Sequence, residues 1–553
     1  MPGYFRHMRP ATHTVTNQPP VLDDYDLYAA DPLVRDAVER EGGGWGHDHL
    51  SAFCRGLATP DSYRMADEAN RYEPVLHTHD RFGHRIDEVT YHPSYHHFMR
   101  RSVEAGMHSL PVERPSGEGA RVVRDALLWA VNQIEPGHSC PISMTTSVVP
   151  ALRHQPDLAA QWEPFITSRH YQPELGVLGT DKSSAILGMG MTEKQGGSDV
   201  RANTTTAVPD ADGTYRVTGH KWFTSAPMSD GFLILAQAPG GLTCFLLPRV
   251  LPDGSRNAIE IQRLKDKLGN RSNASSELEF REAVVQRVGE EGRGVRTIIE
   301  MVNGTRIDCV SAVVGQMRQA VNQAAWHTRH RSAFGSPLAD KPLMQNVVAD
   351  LELDVEASTL LMARLWGAFD REELDPTEAA FRRLATPVAK YWTTKITTGV
   401  VREAMECLGG NGYVEDTILA RLFRESPLSA IWEGSGNVIA LDIVRALGRE
   451  PAAGEAFLAE LELARGADRA VDVAIDACRD ALAAPSDPEA GARRLAEQLA
   501  VTWSATLLLR YAPPAVADAY VASRLVERHG LLYGTLPSGL DVAAIAARAH
   551  VER

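Results

Sequence analysis

A glutamate between a tryptophan and a glycine, in Ile431-Trp432-Glu433-Gly434-Ser435-Gly436-Asn437, has the side-chain chemistry of a general base. The following glycine lets backbone approach a ligand closely. A carboxylate desolvated there would have its pKa raised, as a base acting on carbon requires. A second run, Met189-Gly190-Met191-Thr192-Glu193-Lys194-Gln195-Gly196-Gly197-Ser198-Asp199, is rich in glycine. Its backbone N–H groups can approach an anionic pyrophosphate, and the Thr192 and Ser198 hydroxyls can complete the hydrogen bonds. A turn feeding a sheet is the plainer reading. In Arg331-Ser332-Ala333-Phe334-Gly335 the guanidinium can neutralise the same kind of anion. His92, His96 and His97 include an i, i+4 pair, but Pro93 breaks any continuous helix across them. They are read as structural, and no metal is expected. Gly289-Glu290-Glu291-Gly292-Arg293-Gly294 lacks the spacing and the βαβ setting of a dinucleotide fingerprint and reads as a connecting loop.

The elements that must position these residues differ along the chain. Helical spacing dominates 22–185, with Trp129, Val131 and Ile134 as examples. Short alternating strands follow at 215–222, 232–236, 243–247, 259–262 and 277–280, separated by Pro-Asp-Gly-type turns, and predict a small antiparallel sheet or barrel. Beyond Gly294 the apolar stripe Ile307, Val310, Val313, Val314, Met317 and Val321 opens a series of amphipathic helices that continues through 343–369, 388–405 and 439–447. The last hundred residues are Ala-, Leu- and Arg-rich and also helical, broken at 484–488 and at Pro513-Pro514.

A chain of 553 residues exceeds one compact core and should form about three or four domains. No apolar run is long enough for a membrane helix, and the six cysteines are scattered without a CxxC pair. Reduced thiols in the cytoplasm are therefore expected. The formal charge of −14 disfavours nucleic acid unless positive charge gathers on one face.

Six segments in order resemble the acyl-CoA dehydrogenase superfamily, with variants typical of its AidB-like branch. The loop 189–199 resembles Thr-Glu-x-x-x-Gly-Ser-Asp. Gly219-His220-Lys221-Trp222-Phe223-Thr224-Ser225 resembles Gly-x-Lys-x-Trp-Ile-Thr-Asn. Lys267-Leu268-Gly269-Asn270-Arg271 is similar to Lys-x-Gly-x-Arg. The remaining three are Arg331 to Gly335, Cys407-Leu408-Gly409-Gly410-Asn411-Gly412-Tyr413, and the Glu433 segment, which is similar to Tyr-Glu-Gly-Thr.

The resemblance implies a mainly α protein with a central β domain: a flexible arm (1–20), an N-terminal helical domain (21–188), an antiparallel β domain (189–288), a four-helix bundle (289–450) and an extra C-terminal helical domain (451–553). It implies FAD held by Met189, Gly190, Met191, Thr192, Gly197, Ser198, Trp222, Phe223, Thr224, Ser225, Arg331, Phe334, Gly409, Gly410, Ile431, Trp432, Gly434, Ser435, Gly436 and Asn437. An aromatic of the 219–225 strand would pack on the flavin and a threonine hydroxyl would reach N5. Glu433 would be the catalytic base, with Arg306 near the pocket.

The implied activity is α,β-dehydrogenation of an acyl thioester or similar carbonyl substrate by a homotetramer. The AidB-like alternative is a flavoprotein that binds double-stranded DNA in the response to alkylation damage, through a surface that includes Arg445. The chain from 451 onward holds ten Arg and no Lys against fourteen Asp plus Glu, which is not a basic footprint.

Overall fold

The computed structural model describes residues 12–483, 487–527 and 530–552. Residues 1–11 of the expected arm and 484–486 of the expected helix break lie outside these. Several N-terminal helices start on proline behind a polar cap, where the missing N–H is not needed. Asp31 caps Pro32–Arg40, Thr59 caps Pro60–Arg71 and His92 caps Pro93–Glu104. Pro93 therefore begins a helix and leaves His92 outside it, accepting from the Ser94 amide. His96 hydrogen-bonds the Tyr171 hydroxyl at 2.8 Å. Within the region read as helical, a hairpin of β1 (Val75–His79) and β2 (Arg85–Thr90) interrupts the pattern. It turns on Asp80, whose carboxylate accepts from the amides of Phe82 and His84. Its strands are half exposed, so the apolar alternation that marks a strand is weak there.

Seven strands form the β domain: β3 (Leu187–Gly190), β4 (Thr206–Pro209), β5 (Tyr215–Ser225), β6 (Gly231–Ala238), β7 (Gly241–Pro248), β8 (Ile259–Leu264) and β9 (Ser275–Val288). The order β3-β6-β4-β5-β9-β7 closes through a further β6–β7 pairing, with β8 on β9. Pairing is antiparallel except where β6 runs parallel to β3 and β4. In β6 every residue from Phe232 to Ala236 is buried. Phe232, Ile234 and Ala236 enter one apolar core while Leu233 and Leu235 enter another. The strand period of two thus serves both faces at once.

Three long helices follow: the first bundle helix (Gly294–His330), the second (Pro342–Arg371) and the third (Pro376–Cys407), with Gly436–Arg449 packed on the third. The Ile307-to-Val321 stripe is fully buried. The C-terminal helices Pro451–Glu462, Arg469–Ala483 and Ala492–Tyr511 join the same core. Phe381 of the third bundle helix meets Phe457 and Trp503 at ring distances of 5.9 and 5.4 Å. The Pro513-Pro514 pair separates two helices, as expected. Among the described residues no helix is long and apolar enough to cross a membrane.

Candidate active site

Glu433 sits in the turn before Gly436–Arg449 with φ +57°, followed by Gly434 at φ +106°. A left-handed glutamate is strained, and it persists only where its surroundings hold it. Three consecutive carbonyls here are held by buried cations. Lys390 Nζ of the third bundle helix donates to Trp432 O at 2.9 Å and to Gly434 O at 2.5 Å. Arg306 Nε of the first donates to Glu433 O at 3.1 Å. Arg306 is itself fixed by Asp442 at 2.7 Å. Gly434 needs glycine for its φ of +106°, whereas a Cβ on Gly436 would meet only the movable end of the Lys395 side chain, at 2.6 Å.

The carboxylate of Glu433 accepts from Thr305 Oγ1 at 2.6 Å through Oε2. Burial raises its pKa. The Thr305 hydroxyl and the charges of Lys390 and Arg306 oppose that rise, and Asp308 adds to it. Burial also depresses the Lys390 ammonium to about 8. Arg306 thus touches the backbone of the expected base, not its carboxylate. Thr305 and Lys390 were missed by sequence reading. Thr305 adjoins Arg306, but nothing in the sequence marks a lysine 43 residues before Glu433 as its neighbour.

Facing this turn lies a polar group from three other segments. Cys140 interacts with Ser225 and Asn273 and senses the charges of Lys267 and Glu433, with burial pushing its thiol up to about 11. Lys267 Nζ donates to Asn273 O at 2.6 Å and to Ser275 Oγ at 3.1 Å, and burial lowers it to about 8. The Lys267-to-Ser276 segment is clamped on both sides. Ser272 donates to buried Glu135 at 2.6 Å, and Glu425 accepts from the Asn270 amide at 2.8 Å.

The glycine-rich loop is welded to β5 by an ion pair between two of the motifs. Glu193 is fully buried, 2.8 Å from Lys221, and also accepts from the amides of Thr204 and Thr205. Burial, which raises its pKa, is outweighed by Lys221 and these amides, which hold the carboxyl at about 2. Met189 and Gly190 are buried in β3. Met191 and Thr192 are half-buried, and Gly197 and Ser198 are exposed. A Cβ on Gly197 would lie 2.5 Å from Thr192 Oγ1, so the loop can fold back on Thr192 only with glycine there.

Strand β5 carries the aromatic and hydroxyl residues expected at a flavin. Thr224 was expected to present its hydroxyl to a flavin, yet the residue is fully buried, and a Cβ on Gly190 would lie 3.1 Å from Thr224 Oγ1. The ring of Trp222 has Lys265 Nζ 3.3 Å from its centroid and further cations at Lys194 and Arg263. A register shift between Lys221 and Thr224 turns both of those side chains inward. The accessible aromatics are Phe223, 54% exposed, and half-buried Trp222, and the accessible hydroxyl is that of half-buried Ser225.

The six motifs do not converge on one spot. Thr305, Arg306 and Lys390 meet Glu433, and the first and third bundle helices run onward in the same direction. At 1.5 Å per residue, Arg331 lies about 37 Å along the first helix from Arg306. Gly409 lies about 28 Å beyond Lys390 at the same end. Arg331 and Phe334 on the first helix's end, and Gly409 and Gly410 on the third's, thus lie away from Glu433. Phe334 is 98% exposed on a two-residue turn with φ +51°. Ile431 and Ser435 are exposed and Trp432 is half-buried, while Asn437 Oδ1 accepts from Arg493 of the C-terminal helices at 2.7 Å. Arg445 is exposed on Gly436–Arg449. Of the C-terminal arginines, Arg465, Arg479, Arg510, Arg524 and Arg548 are paired with carboxylates.

Family models match this chain in three consecutive blocks: the adaptive response protein AidB N-terminal domain at 17–173, the acyl-CoA dehydrogenase middle domain at 188–283 and the acyl-CoA dehydrogenase C-terminal domain at 292–448. The chain belongs to the acyl-CoA dehydrogenase family, in its AidB-like branch. It is 42% identical to the Escherichia coli (strain K12) protein named "Putative acyl-CoA dehydrogenase AidB" over 94% of this chain and 96% of that one. It is 33% identical to acyl-CoA dehydrogenase family member 11 of Caenorhabditis elegans over 80% and 72% of the two chains. The crystal structure of Caenorhabditis elegans ACDH-11 in complex with C11-CoA superposes with a TM-score of 0.84 at 27% identity, covering 99% of this chain and 94% of that one. A Bacillus anthracis acyl-CoA dehydrogenase complexed with FAD shares the fold, with a TM-score of 0.65 at 14% identity over 95% and 86% of the chains.

Proposed function

We propose that this protein is an FAD-dependent dehydrogenase that introduces a double bond α,β to the carbonyl of an acyl thioester or similar compound, with Glu433 as the base. The observation that carries this reading is the Glu433 turn: a carboxylate of raised pKa, presented in left-handed backbone by three cation-to-carbonyl hydrogen bonds. Thr305 occupies Oε2 and leaves Oε1 to take the proton from the carbon beside the carbonyl.

The residues present fit FAD. The Ser225 hydroxyl stands beside the Cys140–Lys267 group, and the exposed ring of Phe223, two residues earlier on the strand, has Lys265 Nζ 4.6 Å from its centroid. The accessible backbone of 191–198 offers amides for an anion. When bound, FAD supplies the two-electron oxidation. Phe223 would stack on it, Ser225 would hydrogen-bond it, and Met191, Thr192 and Ser198 would hold its phosphate side.

Arg331, Phe334, Gly409 and Gly410 are too far from Glu433 to serve the same protomer's site. We assign them to a neighbouring copy's cofactor, which makes the protein a homo-oligomer, a tetramer by family resemblance. Exposed Phe334 is the contact this requires. All six cysteines are free, in keeping with a cytoplasmic protein. For the duplex-DNA alternative Arg445 is the supporting residue. The carboxylate pairing of five C-terminal arginines works against the cationic stripe such a surface uses.

Glu433→Gln tests the assignment. The variant keeps its yellow cofactor and loses roughly 10²–10⁴ in turnover. Undiminished turnover would remove Glu433 from the role.

A further inference from the structure

Arg306 reaches the candidate base through a chain of charges that continues past the site. Its Nε donates to Glu433 O at 3.1 Å, and its Nη1 pairs with Asp442 Oδ2 at 2.7 Å. The other oxygen of Asp442 accepts from Arg383 Nη2 at 3.1 Å, and Arg383 Nε pairs with Glu450 at 3.0 Å. Asp442 stands on Gly436–Arg449 and Arg383 on the third bundle helix. One carboxylate thus straps the helix that follows Glu433 to both the first and the third bundle helices. The guanidinium of Arg306 lies against the turn itself, since a Cβ on Gly434 would stand 3.5 Å from its Nη2.

Arg306 is buried and Asp442 half-buried. A buried guanidinium that loses its carboxylate is strongly unfavourable, so it pairs with another where one is near. From the first bundle helix, Thr305, Arg306, Asp308 and Cys309 face Glu433. Lys390 faces it from the third, and Cys140, itself facing Lys267, does so across the site. Of the carboxylates in this group Asp308 already carries Arg121 and Arg124. That leaves the Glu433 carboxylate, attached to the very residue whose carbonyl Arg306 holds. Pairing there would occupy the oxygen that Thr305 leaves free and weaken the base.

We propose that Asp442 is a positioning residue for the dehydrogenation: it holds the Arg306 guanidinium on the backbone of Glu433 and off its carboxylate. The inference rests on Glu433 being the base. Asp442 touches no reacting atom and acts through Arg306 alone.

The test measures kcat across pH for the FAD-loaded protein with octanoyl-CoA and an artificial electron acceptor, together with crystal structures of the variants. Asp442→Asn keeps the shape and removes the charge. Arg306 should then swing to the Glu433 carboxylate, moving the acid limb of the profile about 1–3 pH units lower. The plateau should fall roughly tenfold, because the base is weaker. Arg306→Met breaks the same ion pair but removes a cation that lowers the Glu433 pKa, so its acid limb should move higher. Loss of a structural strap alone would move both variants alike. In the Arg306→Met background, Asp442→Asn should change kcat by less than about twofold and leave the limb in place. Should Asp442→Asn not fold, Asp442→Ser carries the same expectations.

An acid limb that stays or rises in Asp442→Asn, or a further loss in the Arg306→Met background, overturns the proposal. So does a crystal structure of Asp442→Asn in which Arg306 still donates only to Glu433 O. The two readings fail separately. If Glu433→Gln loses turnover while the Asp442→Asn limb is unmoved, the positioning role falls and the base stands. If Glu433→Gln turns over normally, or octanoyl-CoA is not turned over at all, the crystal structure decides. Arg306 on the Glu433 carboxylate then upholds the hold exerted by Asp442 while the base assignment falls.

Discussion

Lys390 shapes the turn that presents Glu433 without touching its carboxylate, so Lys390→Met separates positioning from chemistry. The ammonium makes two hydrogen bonds, to Trp432 O at 2.9 Å and Gly434 O at 2.5 Å. Charge-assisted bonds of this kind contribute about 1.5–3 kcal/mol each, or about 3–6 kcal/mol for the pair. Against this stands burial, which lowers the ammonium from 10.5 to about 8 and so costs about 3 kcal/mol at neutral pH. The substitution should therefore cost up to about 3 kcal/mol. A left-handed residue lies about 1–2 kcal/mol above its right-handed form. Without the clamp Glu433 should spend most of its time in other conformations. If about 1.4–2.8 kcal/mol of the loss falls on the competent turn, kcat drops about 10- to 100-fold. FAD content should be largely retained, because Lys390 touches no residue of the glycine-rich loop and bonds only the carbonyls of Trp432 and Gly434 on the base's own turn.

The assay is steady-state turnover across pH with an artificial electron acceptor, alongside the flavin absorbance of the purified variant. Lys390 lowers the Glu433 pKa, so its removal moves the acid limb of the kcat profile to higher pH. The base works deprotonated, and activity is lost as pH falls through its pKa. A variant with kcat within threefold of wild type and an unmoved acid limb would refute the clamp.

Three further outcomes follow from the geometry. Ser225→Ala should perturb the bound flavin spectrum and slow its reduction, whereas Thr224→Val, which replaces a buried and unpartnered hydroxyl, should leave both unchanged and be neutral or stabilising by thermal melt. Lys221→Met strands Glu193 in the core and should cost about 3–5 kcal/mol in urea unfolding at neutral pH. The wild-type Glu193 carboxyl is held at about 2 against 4.5 when exposed. Its stabilisation is therefore complete above about pH 4.5 and lost as pH falls toward 2, a decline the variant should not share. Phe334→Asp should shift sedimentation toward smaller species and weaken FAD retention, since the exposed ring is expected to pack on a neighbouring copy.

The fold was legible because each region has its own hydrophobic period. The Ile307-to-Val321 stripe marks a buried helix face, and the unbroken apolar run 232–236 marks a strand between two cores. The β1–β2 hairpin escaped because its strands are half exposed and carry little apolar contrast. The motifs were legible because glycine is required by local backbone and close approach, as at Gly197 against Thr192 and at Gly434 with its φ of +106°.

Linear order determined which residue types are present: the glutamate, its glycine, the glycine-rich loop and the cations. Tertiary structure alone decided their partners. It turned Thr224 inward and left Ser225 accessible, because a register shift in β5 changes which side chains share a face. It brought Lys390 to the carbonyls beside Glu433, because helix packing joins residues far apart in the chain. It also carried Arg331 and Gly409 to the opposite end of the bundle, because a rigid helix rises about 1.5 Å per residue whatever its motif encodes.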